Sequence, residues 1–113
     1  MDKLQLDKHI SKQFNDDLEE IKTSMLEMGG LVEKQVGDAI RALEDADSSL
    51  AERVIEVESQ IDEMEMDIDE TSITLIARRQ PAASDLRLVI AVTKTIRDLE
   101  RIGDEAQKIA KMA

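Results

Sequence analysis

The chain has 113 residues, 42% of them apolar, and a formal net charge of −11 from 26 acids against 15 bases. That balance argues against nucleic acid and anionic membrane as main partners, because both require a basic face. No cysteine is present, so disulfides and thiolate metal sites are excluded, and the longest apolar runs fall far short of a membrane span.

The composition reads as one soluble, cytoplasmic domain over residues 1–113, with a core of Leu, Ile, Val, Ala and six Met, since Phe14 is the only aromatic residue. Apolar residues recur at steps of three and four almost throughout, the period of an amphipathic helix. Phe14, Leu18, Ile21, Met25, Met28, Val32, Val36, Ala39 and Leu43 form one stripe, which predicts a long helix over about residues 10–46. Gly29, Gly30 and Gly37 weaken it by about 1 kcal/mol each relative to Ala, and suggest close approach of another backbone or a hinge.

A tight turn follows at "DADSSLAE", where Ser49 with Glu52 matches a capping box and Asp47 is a rival cap. The second stripe, Leu50, Val54, Val57, Ile61, Met64, Ile68 and Leu75 with Thr71 filling the gap, predicts a helix over 48–80 that stops before Pro81. A third, over 82–113, follows from Leu86, Val89, Thr93, Ile96, Leu99, Gly103 and Ala106, with Pro81 in its first turn and Ser84 as a possible cap. No stretch alternates like a strand. The expected fold is all-α, an antiparallel three-helix bundle with helices roughly 45 to 55 Å long. Its last residues, "KIAKMA", carry no helix stop, so the third helix is expected to continue in a longer parent. Twelve acids and one base lie between Glu44 and Glu70, and eight bases and five acids between Arg78 and Lys111. An acidic second helix and a mildly basic third are therefore expected to attract each other weakly.

The inventory of reactive side chains is short. His9, the single histidine, precedes the main stripe and reads as a solvated terminal residue rather than a phosphotransfer site. A ferritin-like di-iron centre would need a Glu-x-x-His motif from each of two helices, and no catalytic triad or Gly-rich phosphate loop has its members. Carboxylates remain. Glu58 with Asp62, and Glu100 with Asp104, are each four apart and flank apolar seam positions. Folding the third helix back on the second about residue 80 sets position 62 opposite about 98 and 58 opposite about 102, so the two pairs meet at one level. Four carboxylates there repel unless something positive joins them: Arg97 and Arg101, or a hard cation bound through oxygen. The alternative is an ordinary salt-bridged surface, with Glu65 and Asp69 continuing a solvated ladder.

"RRQPAASDLR" and "DLERIGDEAQKIA", together with "HISKQF", "MGGLVEKQV" and "DADSSLA", resemble the PhoU family across essentially the whole chain. The resemblance implies the first of two tandem three-helix bundles, about half of a longer protein. It also implies multinuclear iron or zinc held by paired motifs of Glu or Asp, three residues, then Asp, which Glu58/Asp62 and Glu100/Asp104 match. Manganese and magnesium suit the same oxygen donors. The implied role is non-enzymatic: a negative regulator of the phosphate-starvation response that couples the ATPase subunit of the phosphate ABC transporter to a sensor histidine kinase. Arg78, Arg79 and Arg87, with the acidic ladder, would form the docking face; the alternative is that "ARRQP" only stabilises a helix C-terminus by its charge. A bundle of this kind, separated from its twin, is expected to form a homodimer or a domain swap. A purely structural, ligand-free dimerisation module is the alternative.

Overall fold

The computed structural model describes the backbone of residues 3–79 and 83–112 and the side chains of 12–78 and 85–112. The His9, Arg79 and Ser84 side chains and all of Pro81 lie outside the described residues. Three helices run in sequence: α1 (Lys3–Asp45), α2 (Ser48–Arg79) and α3 (Ala83–Lys111). Each packs on the other two, in the expected up-down-up arrangement. The rod measures 65 × 21 × 16 Å, the length of its 43-residue first helix at about 1.5 Å per residue. Its radius of gyration is 18.1 Å, where a spherical chain of this size has about 13 Å.

Helix α1 begins at Lys3 rather than near residue 10 and runs unbroken through its glycines, so there is no hinge. Nor do those glycines mark close approach. A Cβ at Gly30 or Gly37 would meet nothing within 4 Å, and one at Gly29 only Leu99 Cδ1 at 4.0 Å.

The first turn closes on backbone bonds that satisfy a helix end. Ala46 takes the left-handed conformation (φ 52°), and Asp47 N–H donates to the Ala42 carbonyl at 2.9 Å, a Schellman closure. Asp47 Oδ1 then accepts from Leu50 N–H at 3.0 Å. Asp47 is thus the cap of α2, and Ser49, already inside the helix, does not form the capping box. In α3, Ser84 likewise falls within the first turn rather than ahead of it.

The stripes hold with three corrections at their gaps. Ala42 is buried where Leu43 was expected, and Leu43 is exposed. Ser72 replaces Thr71 in the core, its hydroxyl donating to the Ile68 carbonyl at 2.7 Å. Val92 is buried beside a half-buried Thr93. A 3.6-residue turn drifts against any fixed count of three and four, so neighbours trade places along a long helix.

Two apolar clusters stack along the axis. Large side chains, among them Phe14, Ile21, Met28, Ile61, Ile68 and Ile96, fill the cluster toward the α2–α3 end. Ala39, Ala42, Ala51, Ala106 and Ala110, with Val54, fill the one toward the α1–α2 turn, where small residues let the helices approach closely. The described ion pairs all join residues three apart on one helix, as in Arg41–Asp38 and Lys108–Glu105. The expected attraction between α2 and α3 is therefore not made by direct ion pairs among the described residues.

Candidate metal centre

A polar layer separates the two clusters. Gln35 and Glu58 are 2% and 5% exposed, on α1 and α2, in positions otherwise held by apolar side chains. Gln35 Nε2 donates to Glu58 Oε2 at 3.0 Å and to the Val54 carbonyl at 3.3 Å. Gly103 on α3 makes the room: a Cβ there would stand 3.0 Å from Gln35 Oε1 and 3.1 Å from Glu58 Oε2. The glycine that close packing requires is this one, not those of α1.

Glu58 leads outward into a row of acids between α2 and α3. One carboxylate oxygen from each of Glu58, Asp62 and Glu100 lies within 4.8 Å of the other two. Asp104 stands beside this group, close enough to raise the carboxyls of both Glu58 and Glu100. All four sequence-predicted acids are thus brought together, graded from buried Glu58 through half-buried Glu100 and Asp104 to exposed Asp62.

Such crowding is unfavourable to charge. Burial raises the Glu58 carboxyl from 4.5 to about 7, aided by the neighbouring Asp104 and opposed by the hydrogen bond from Gln35. Burial, then Asp104, raises Glu100 to about 7 as well. Glu65 is half-buried rather than solvated, and it too is raised, first by burial and then by Asp62.

The two arginines do not neutralise this group. Arg97 acts on Glu65, and Arg101 points to Asp98 at 4.0 Å. Glu58 Oε1 and Gln35 Oε1 are buried without a hydrogen-bond partner. An orphaned carboxylate oxygen in an all-oxygen set suits a hard cation, which would satisfy it and hold the neighbouring acids ionised. The residues fit such an ion.

Sequence reasoning missed Gln35. Its signal was present: Gln35 is three residues after Val32 and four before Ala39, so it continues the α1 stripe as well as Val36 does. Arg78 is exposed and lines a recess with Gln13, Asp17 and Glu70 between α1 and α2, away from the acid group, and Arg87 is exposed on α3.

Residues 25–113 match the family model described as PhoU domain. The chain is 60% identical over 105 residues to the phosphate-specific transport system accessory protein PhoU homolog of Pseudomonas aeruginosa, covering 93% of this chain and 43% of that protein. To the phosphate-specific transport system accessory protein PhoU of Escherichia coli K12 it is 56% identical over all 113 residues, 47% of that protein. The crystal structure of PhoU from Pseudomonas aeruginosa superposes with a TM-score of 0.85 at 59% identity, over 87% of this chain and 47% of that one. The phosphate transport system regulatory protein PhoU from Streptococcus pneumoniae superposes at 0.81 with 37% identity, over 87% of this chain and 46% of that one. The chain thus spans less than half the length of the curated relatives it matches, and it belongs to the PhoU family.

Proposed function

We propose that this chain is a regulatory module of phosphate uptake and phosphate-starvation signalling, acting as a non-enzymatic adaptor on the cytoplasmic side of the membrane. Its partners in this reading are the ATPase subunit of the phosphate ABC transporter and a phosphate-sensing histidine kinase. The observation that carries the reading is the convergence of Glu58, Asp62, Glu100 and Asp104 in a chain 60% identical to a transport-system accessory protein. In support, no described helix is long and apolar enough to cross a membrane, so the module would act on membrane partners by docking. The module is one bundle of a two-bundle protein, and the homodimer expected of it belongs to the same reading.

Iron, zinc, manganese or magnesium would be held by Glu58, Asp62 and Glu100, with Asp104 beside them as a further oxygen donor. When bound, the ion would supply the positive charge that holds these carboxylates together. The residues do the rest. Glu58, anchored by Gln35, fixes the site to α1, while Glu100 and Asp104 fix it to α3, so the level of the three helices relative to one another is locked at the polar layer. An adaptor needs that rigidity more than it needs a reactive group.

Thermal melts with each divalent metal test the metal part of the reading. The native chain should melt at least several degrees higher with its cognate ion, and Glu100→Gln/Asp104→Asn should not respond. An unresponsive native chain that dimerises would instead be the ligand-free structural module. Retention of the transporter ATPase subunit on immobilised full-length protein tests the adaptor part.

A further inference from the structure

On the side of the bundle away from α3, the groove between α1 and α2 is continuous. A recess of about 280 Å³ is floored by Ile21, Ser24, Met64 and Ile68 and opens at Thr71 into a second of about 400 Å³ that runs on to Leu75. Glu20, Glu27, Asp67 and Glu70 stand along its rims, all exposed. Elsewhere on the surface some acids, Glu19, Asp38, Asp98 and Glu105, have a base three residues ahead, at Lys22, Arg41, Arg101 and Lys108, while others such as Glu52 and Glu63 have none at helical spacing. The four rim acids have none three or four residues away in either direction; Thr23, Ser24, Gly30, Thr71 and Thr74 are among the residues there. No described ion pair reaches them. Arg78 lines the far end of the second recess, so the unbalanced charge lies mainly in the first, whose lining holds Glu20, Glu27 and Asp67 and no base; that stretch is complementary to a cation.

We propose that this α1–α2 groove docks a cationic amphipathic helix of a partner protein. Shape and charge define the occupant. Two antiparallel helices with a third behind them present a trough that a further helix fills by completing a four-helix bundle. The floor is a narrow apolar strip, with Ile21 and Ile68 buried and Met64 half-buried and adaptable. It calls for a seam of single apolar residues every three or four, with Lys or Arg on both flanks to meet the two acidic rims. From Gln13 to Glu27 the groove is about 21 Å long, which takes a helix of about fourteen residues. Anionic membranes and nucleic acids are repelled by the same rims. The groove is separate from the acid group between α2 and α3, so its occupancy does not depend on a metal.

A fluorescein-labelled synthetic helix with Leu on one seam and Lys on both flanks is the probe, with binding read by anisotropy against the folded chain at about 50 and 150 mM salt. We expect Glu20→Gln/Glu27→Gln/Asp67→Asn/Glu70→Gln to weaken binding by about tenfold or more. An equally neutralised control, Glu33→Gln/Glu44→Gln/Glu52→Gln/Glu105→Gln, should weaken it by under about threefold. Met64→Ala, which alters no charge, should also weaken it, and a scrambled peptide of equal charge should bind at least about tenfold less tightly. Equal losses in the two quadruple variants, or equal binding of the scrambled peptide, would overturn the proposal in favour of general attraction to an acidic protein. It would be overturned equally by light scattering showing a dimer that the groove variant alone dissolves, because the occupant would then be a second copy. Circular dichroism confirms that each variant keeps its helix content.

Discussion

At Gly103 a methyl group would stand 3.0 Å from Gln35 Oε1, and Gln35 is pinned by two bonds from its amide nitrogen, so it has little freedom to withdraw. We therefore expect Gly103→Ala to destabilise the chain by about 1–2 kcal/mol even though alanine favours a helix by about 1 kcal/mol. Gly30→Ala and Gly37→Ala, with open space around them, should instead each stabilise it by about 0.5–1 kcal/mol. Urea denaturation of the three variants measures all of this, and a shared sign would contradict the assignment of Gly103 as the close-approach glycine. The residue scale is also where the sequence was least legible. Glu58, Asp62, Glu100 and Asp104 could be read off because pairs four apart share a helix face and one turn sets their level. Gln35 could not, because its partner Glu58 is 23 residues away and counting by threes and fours admits either Gln35 or Val36 into the stripe. Whether Ser72 or Thr71 enters the core turned on the same drift.

The turn between α1 and α2 was legible in place but not in mechanism. Two possible caps could be seen in "DADSSLAE", and the choice fell to Asp47 because the chain reverses through a left-handed Ala46 one residue before it. A non-glycine residue in that conformation costs about 1 kcal/mol. Ala46→Gly should accordingly raise stability by about 0.5–1 kcal/mol, some 3–6 °C in Tm, while Asp47→Ala should lower it by about 1 kcal/mol. Ser49→Ala should change little, since Ser49 lies within α2 rather than at its cap. Calorimetry that ranked Ser49→Ala as more damaging than Asp47→Ala would restore the capping box. Helix count and topology, by contrast, were legible because all three stripes are long and only one Pro and one short polar turn interrupt them.

For the molecule as a whole, the acid group links stability to pH. Glu58 and Glu100 keep their protons in the folded chain to about pH 7, while in the unfolded chain they lose them near 4.5. The folded state binds more protons across that window, so the metal-free chain should lose stability as pH rises from about 4.5 to about 7 and level off above it. A cation competes with those protons, so the stabilisation it confers should grow through the same window. Melts at pH 5 and pH 8, with and without a chelator, check both slopes. The most direct measurement is metal content after purification without chelator, made on the native chain beside Glu100→Gln/Asp104→Asn. Iron, zinc, manganese or magnesium in stoichiometric amount in the native chain and lost from the variant is the predicted result. A native chain that carries no metal, beside a variant that melts at a higher temperature, would contradict it: the four acids would then be repelling neighbours on a docking face.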